Sequence, residues 1–375
     1  MLELLFWVAL LGSVYSYFLY PIVLKLTPRR GSSERKLNAQ PPRVSLIVTA
    51  HNEEERIRDK ILNCLELSYP QLEVVVASDA SVDETDAIVR SFKNDGVKLA
   101  RAEERKGKEN AQLHAIRAAE GDILVFSDVA TRIPPDAIEK LVSHFEDTAV
   151  GAVSSEDRFI SRDGLVAGEG AYVKYEMLLR RLESQRAGLV GLSGSFFAAR
   201  KEVCEAWDIL SPSDFNTALN CATLGYVAIT APDVLGYYQD VQDPGKEYQR
   251  KLRTVIRGLT AAARHKEALN PFKFRWFAFQ LWSHKILRWA VPWFLVLLAI
   301  CTLLLAYRGG IYSLAMLCQL AFYAIVVFGY FSSSHRDKTV VKIPYFFVQV
   351  NVAIAHATLR FLRGERMTVW SPSKR

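Results

Sequence analysis

The chain has 375 residues, 50% of them hydrophobic and 23% charged, with a net charge of +7. It exceeds one ordinary domain and can bury a large core. The basic residues cluster beside apolar segments, where anionic lipid attracts them, so the charge requires no nucleic-acid partner. The five cysteines, Cys64, Cys204, Cys221, Cys301 and Cys318, show no C-x-x-C or Cys/His metal spacing and read as buried thiols in a reducing compartment.

Residues 3–24, ELLFWVALLGSVYSYFLYPIVL, carry one acid near their start and are long enough to cross a bilayer. A cleaved signal peptide needs a basic leader and a small-residue cleavage site, and neither is present. An uncleaved anchor over residues 1–26 is therefore expected, followed by a polar linker over 27–42. Lys25, Arg29, Arg30, Arg35, Lys36 and Arg43 stand there against Glu34 alone. Retention of Lys and Arg on the cytoplasmic side then places the amino terminus outside and the middle region in the cytoplasm.

From Val44 onward, short apolar runs alternate with amphipathic stretches: VSLIVTA, EEERIRDKILNCLEL, LEVVVAS, DETDAIVRSFKN, VKLA, ENAQLHAIRAAE and DILVFS. Strand-length runs separated by helical periodicity predict a largely parallel sheet with helices on both faces, a domain spanning residues 43–268. Such sheets bind ligands at the carboxyl ends of their strands. Acids recur along that edge: Glu53, beside Asn52, follows the first strand, Asp79 and Asp83 the second, and Asp128 the fourth. Asp83 fits the capping position of the next helix. Asp128 is open to two readings, a turn cap through its side chain or a ligand-binding carboxylate.

Residues 269–375 form the second apolar region. WAVPWFLVLLAICTLLLAY (Trp289 to Tyr307) and GIYSLAMLCQLAFYAIVVFGYF (Gly310 to Phe331) are uncharged and of spanning length. SHKILRWAVPW, before the first, is amphipathic and reads as a helix lying on the membrane surface. A further stretch, Ile343 to Leu362, is interrupted by Gln349, Asn351, His356 and Arg360, which favours an interfacial or re-entrant placement. The basic tail, with Arg360, Arg363, Arg366, Lys374 and Arg375, points the same way.

Several stretches in order, SLIVTAHNEEERI, SYPQLEVVVASDASVDET, KGKENAQLHAIRAAEGDILVFSDVAT, GLSGSFFAAR, SDFNTALNCATLGYVAITAP and QRKLRTVIRG, resemble the membrane-bound inverting glycosyltransferases of family 2. That family includes cellulose, chitin and hyaluronan synthases. The resemblance covers about residues 40 to 265 and extends more loosely to the end, where VWSPSKR is similar to a degenerate W-x-T-R-type motif. It implies a GT-A fold, a Rossmann-like mixed α/β sheet, with one N-terminal and two to three C-terminal membrane helices.

The resemblance also implies roles. Asn52 and Glu53 line the nucleotide pocket, Asp79 contacts the base or ribose, and Lys108 belongs to the donor site. Asp128 matches the first acid of the D-x-D motif, which holds Mg²⁺ or Mn²⁺ on the sugar-nucleotide diphosphate. The second acid of that motif is replaced by Ala130. Gly191, Ser193 and Gly194 fall on the acceptor site, where small residues allow close approach to a sugar ring. Asp214 falls on the general base, although its local pattern fits a helix N-cap equally well. Arg250 and Arg253 match the basic places of a (Q/R)-x-x-R-W motif that meets the leaving diphosphate, with Thr254 where Trp belongs.

The expected function is transfer of a hexose-type sugar, with inversion, from a nucleotide donor, UDP-linked, to a glycan or lipid-linked glycan. The expected setting is the cytoplasmic face of a bacterial inner membrane, in exopolysaccharide or cell-surface polysaccharide synthesis. Membrane lipid is an expected partner. The alternatives are a processive synthase with an oligomeric or export partner, a polyprenyl-phosphate glycosyltransferase, and an inactive scaffold that binds sugar nucleotide.

Overall fold

The computed structural model describes residues 1–31, 34, 40–160, 171–239, 244–336 and 338–367. Contacts divide the chain into two compact units, one built mainly from residues 27–242 and 260–280, the other from 1–26, 243–259 and 281–366.

The first unit is organised by a seven-stranded mixed sheet. Its strands are β1 (Val44–Ala50), β2 (Leu72–Ser78), β3 (Val97–Arg101), β4 (Ile123–Asp128), β5 (Val150–Ile160), β6 (Phe196–Arg200) and β7 (Val227–Gln239). Their spatial order is β3-β2-β1-β4-β6-β5-β7. The first four run parallel, β6 is antiparallel to both β4 and β5, and β5 pairs with β7 in parallel. Successive strands step outward from β1 in one direction, and β4 then lies on the other side of β1. That reversal leaves a crevice at the carboxyl ends of β1 and β4, where Thr49 pairs with Asp128.

The apolar runs are continuous because both faces of the sheet are covered. Leu46, Val48, Val74, Val76 and Val125 enter one core, while Ile47, Val75, Leu124 and Phe126 enter the other. On the second face Phe126 stacks on Phe197 at 4.8 Å and on Trp207 at 5.0 Å between centroids. This packing ties β4, which ends in Asp128, to the antiparallel strand beside it. Gly121, just before β4, is held to β1: its amide donates to Ser45 Oγ, and a Cβ there would lie 2.6 Å from the Ser45 backbone nitrogen.

The second unit is helical. Four helices are long and apolar enough to cross a membrane: Leu2–Leu26, Pro271–Arg308, Ile311–Phe331 and Thr339–Leu362. The stretch expected to be interfacial or re-entrant lies in one continuous 24-residue helix, Thr339–Leu362, which leaves no re-entrant turn. Within it Asn351 is buried and donates to the Phe347 carbonyl, while the exposed His356 meets the Tyr248 hydroxyl at 3.0 Å.

The amphipathic stretch before Trp289 continues into the helix that follows. Ser283, His284 and Arg288 are buried, Ser283 Oγ lies 3.0 Å from the Tyr15 hydroxyl, and Arg288 lies over the Tyr17 ring. The polar face of this segment is therefore spent on the first helix. The backbone break falls upstream, at Arg275, whose φ of 47° interrupts the helix Pro271–Leu281.

Candidate active site

The site is assembled where β1, β2 and β4 end. Two of these exits turn left-handed without glycine, at Asn52 with φ 52° and at Ala80 with φ 49°. Asn tolerates that region, and here its side chain closes the turn. Asn52 Oδ1 accepts from the Val82 amide at 2.9 Å, and the Asn52 amide donates to Ser81 Oγ at 3.2 Å. Glu53 is buried and paired with Arg56 at 2.5 Å. Burial pushes its carboxyl above the usual range, Arg56 partly offsets this, and the charges of Asp128 and Asp83 add to the rise.

The N-cap position of the helix Thr85–Ser91 falls on Glu84 rather than on Asp83, whose carboxylate closes the preceding turn by accepting from the Thr85 amide at 3.0 Å and the Glu54 amide at 3.1 Å. Burial works against its charge, but the bonds from Thr85 and Glu54 prevail and hold its carboxyl below the usual range. Asp79 is fully buried, and its oxygens accept from the Lys106 amide at 3.1 Å and the Gly107 amide at 3.0 Å. Gly107, at φ 106°, supplies the turn that starts the helix Lys108–Ala118. Asp79 thus anchors the loop that delivers Lys108.

Lys108 is the centre of the arrangement. Its Nζ donates to Asp128 Oδ1 at 2.5 Å and to the Gly194 carbonyl at 2.8 Å. The Asp128 amide donates to the Ser195 carbonyl at 3.0 Å. Gly194 in turn faces Asp214: a Cβ built on Gly194 would lie 3.5 Å from Asp214 Oδ2. Asp128, Lys108, Gly194 and Asp214 are therefore linked contact by contact.

The competing role for Asp214, a helix cap, is not what the helix uses. The helix Ser213–Leu224 has Pro212 at its N-cap position with no side-chain cap bond. The Ser213 amide donates instead to Glu109 Oε1 at 3.3 Å, and the Leu192 amide reaches only the Asp214 backbone carbonyl. Among the described residues no group donates to the Asp214 carboxylate, which is left half-exposed beside the glycine turn.

Ser193 belongs to a hydroxyl network behind that turn. Its Oγ donates to Asp157 Oδ1 at 2.5 Å and lies 3.0 Å from Ser195 Oγ, which is 3.0 Å from the Tyr238 hydroxyl. Desolvation pushes the Asp157 carboxyl up against the bonds from Ser193 and Tyr238, and burial beside Asp157 raises the Tyr238 phenol. The Ser193 hydroxyl is thus engaged within the protein, while its small size keeps the turn low. Gly191 opens the same segment without a left-handed backbone.

Arg250 and Arg253 lie on the helix Pro244–Arg264, in its stretch within the helical unit. Thr254 Oγ1 bonds back to the Arg250 carbonyl at 2.9 Å.

Sequence reasoning missed Glu109, Asp157, Tyr238 and Lys60. Lys60 is buried under the β4 exit, where its Nζ donates to Ser127 Oγ at 2.9 Å and to the Thr131 carbonyl at 2.5 Å. Burial lowers its pKa. It lines a cleft of 490 Å³ with Ala130 and Tyr238. A larger cleft of 1140 Å³ opens by Arg43 and Asp122, at the amino ends of β1 and β4, away from this chemistry. The first-turn acid beside Lys108 was the available signal for Glu109. Nothing local marked Asp157 or Tyr238.

Residues 45–207 match the family model described as Glycosyl transferase family 2. A poly-beta-1,6-N-acetyl-D-glucosamine synthase from Staphylococcus epidermidis is 26% identical over 213 residues, covering 54% of this chain and 50% of that protein. One from Staphylococcus aureus is 25% identical over 202 residues, covering 52% and 47%. The match spans about half the length of these curated relatives. A solved mannosyltransferase from Pyrobaculum calidifontis, in complex with GDP-Man and Mn²⁺, superposes with a TM-score of 0.73 at 24% identity, covering 97% of this chain and 100% of that one. The fold is of the expected GT-A type, with its membrane helices at both ends of the chain.

Proposed function

We propose that this chain, whose residues 45–207 match the family model described as Glycosyl transferase family 2, transfers a sugar from a UDP-linked donor to a glycan or lipid-linked glycan, with inversion. The setting is surface polysaccharide synthesis at the cytoplasmic face of a bacterial inner membrane. The observation that carries this reading is the run of contacts from Asp128 through Lys108 and Gly194 to Asp214. It sets a cationic edge beside a carboxylate that accepts no bond among the described residues.

In the proposed reaction Asp214 takes the proton of the acceptor hydroxyl as that oxygen attacks the anomeric carbon. The new C–O bond forms on the face opposite the breaking one, and the nucleoside diphosphate departs with the electron pair. Asn52 and Glu53 border the nucleotide, and Asp79 supports it indirectly by fixing the loop before Lys108. The Lys108 ammonium offsets the charge of the leaving diphosphate, with Arg250 and Arg253 as further cations. Gly191, Ser193 and Gly194 leave room for the acceptor ring.

The donor set at Asp128 suits a divalent cation that arrives with the nucleotide. Oδ1 is held by Lys108, Oδ2 accepts no bond among the described residues, and the side chain is 27% exposed. Mg²⁺ or Mn²⁺ bound there and to phosphate oxygens would neutralise the leaving group.

Membranes carrying the protein, incubated with a panel of UDP- and GDP-sugars, should release nucleoside diphosphate with one donor class. Product length then separates single addition from polymerisation. Absence of release with every donor and acceptor would favour the sugar-nucleotide-binding scaffold. For topology, a cysteine label at Ser32 should be shielded from the outside. With Thr339–Leu362 crossing as the fourth span, a label at Ser373 should be reached from outside.

A further inference from the structure

The side chain that occupies Asp128 is itself a cation. Lys108 is 9% exposed, and its ammonium makes two short bonds, to Asp128 Oδ1 at 2.5 Å and to the Gly194 carbonyl at 2.8 Å. An ammonium has three donors and no acceptor, so it can tether two oxygens and still present a proton. Two residues beyond Asp128 the chain places Ala130, which brings no side-chain oxygen. Among the described residues no group of three or more His, Cys, Asp or Glu side chains could hold a metal ion. A divalent cation approaching Asp128 therefore meets a single carboxylate already neutralised by a fixed positive charge.

We propose that Lys108 is a competing counter-ion for Asp128, which keeps divalent cations off the protein until a nucleoside diphosphate supplies both oxygens and negative charge. The diphosphate changes the balance in two ways. Its oxygens complete the coordination that one carboxylate cannot, and its charge gives the Lys108 ammonium a second anion to face. Because Gly194 holds the same ammonium, Lys108 stays within the site when it releases Asp128. Metal and nucleotide then bind as one unit. This inference rests on the proposed function for the identity of the nucleotide, but not for the competition between Lys108 and the metal.

The test is Mn²⁺ binding to the purified full chain in detergent, read from the spin-resonance signal of free Mn²⁺, with and without UDP or GDP. Wild type should bind Mn²⁺ weakly alone and about tenfold or more tightly with the correct nucleotide. Lys108→Met should gain about tenfold in Mn²⁺ affinity without nucleotide, and the gain should vanish in Lys108→Met with Asp128→Asn. Lys108→Arg, which keeps the charge, should not gain. Tight Mn²⁺ binding by nucleotide-free wild type overturns the proposal, and this measurement stands even if Lys108→Met fails to fold. A nucleotide effect in wild type with no gain in Lys108→Met also overturns it, leaving the proposed function intact. A gain in Lys108→Met with no effect of either nucleotide supports the competition and overturns the proposed donor.

Discussion

The two edges of the site treat their carboxylates differently. On the strand-end edge four acids are engaged by the protein: Asp79 by backbone amides, Asp83 by the Thr85 and Glu54 amides, Glu53 by Arg56 and Asp128 by Lys108. On the opposite edge the Asp214 carboxylate accepts nothing among the described residues, and the neighbouring Ser213 amide is taken by Glu109. A carboxylate whose oxygens are already bonded holds shape or charge. One left open beside a glycine turn is free to take a proton. Residue type alone does not separate the two, since all are Asp or Glu near loop–helix junctions.

The sharpest way to break this contrast is Asp214→Asn. Loss of a general base should lower turnover about 10²- to 10⁴-fold, with donor affinity and melting temperature nearly unchanged. A variant that keeps near-normal turnover would make Asp214 one more structural acid. Asp79→Ala should behave in the opposite manner. It strands the Lys106 and Gly107 amides in a buried position, so denaturant unfolding should show a loss of about 3 kcal/mol. If stability is unaffected while donor binding collapses, Asp79 touches the nucleotide directly.

Gly194→Ala probes the boundary between the edges. A Cβ would sit in ordinary contact with Asp214, at 3.5 Å, so the protein itself has room for it. Folding should be normal while the acceptor KM rises about tenfold, by filling space before the carboxylate. An unchanged KM would place the acceptor elsewhere. The smallest effect is expected for Asp83→Asn. Asp83 has a depressed folded-state pKa, so its contribution is fully present above the unfolded value of about 3.9 and fades as pH falls through the folded one. The stability gap between wild type and variant should narrow below pH of about 4, and a gap that widens on acidification would contradict the shift.

Much of the sheet was readable in advance. β1, β2, β3 and β4 coincide with apolar runs of strand length, and their buried alternation explains why those runs are unbroken. The antiparallel β6 was not readable, because nothing in FFAAR specifies which neighbour it joins or in which direction. Asp128 and Asp214 were visible as candidates, but the cap alternative for Asp214 is set aside only by where the helix starts, with Pro212 at the N-cap position. The Lys108 bond to Gly194 spans 86 positions and leaves no local pattern. The helix Thr339–Leu362 reads as doubtful from composition because hydropathy counts Asn351 as a cost wherever it points.

Lys108 and Glu109 are consecutive residues in the first turn of one helix. Side chains of neighbouring helical positions project about 100° apart around the axis. One reaches Asp128 and Gly194, and the other reaches the amide of Ser213 beside Asp214. That turn works as an index pin: a single helix fixes the angle between the ammonium bound to Asp128 and the carboxylate that holds the Ser213 amide next to Asp214. A point substitution removes one arm of the pin. One residue inserted between Gly107 and Lys108 would rotate both arms by about 100° and release the two edges together.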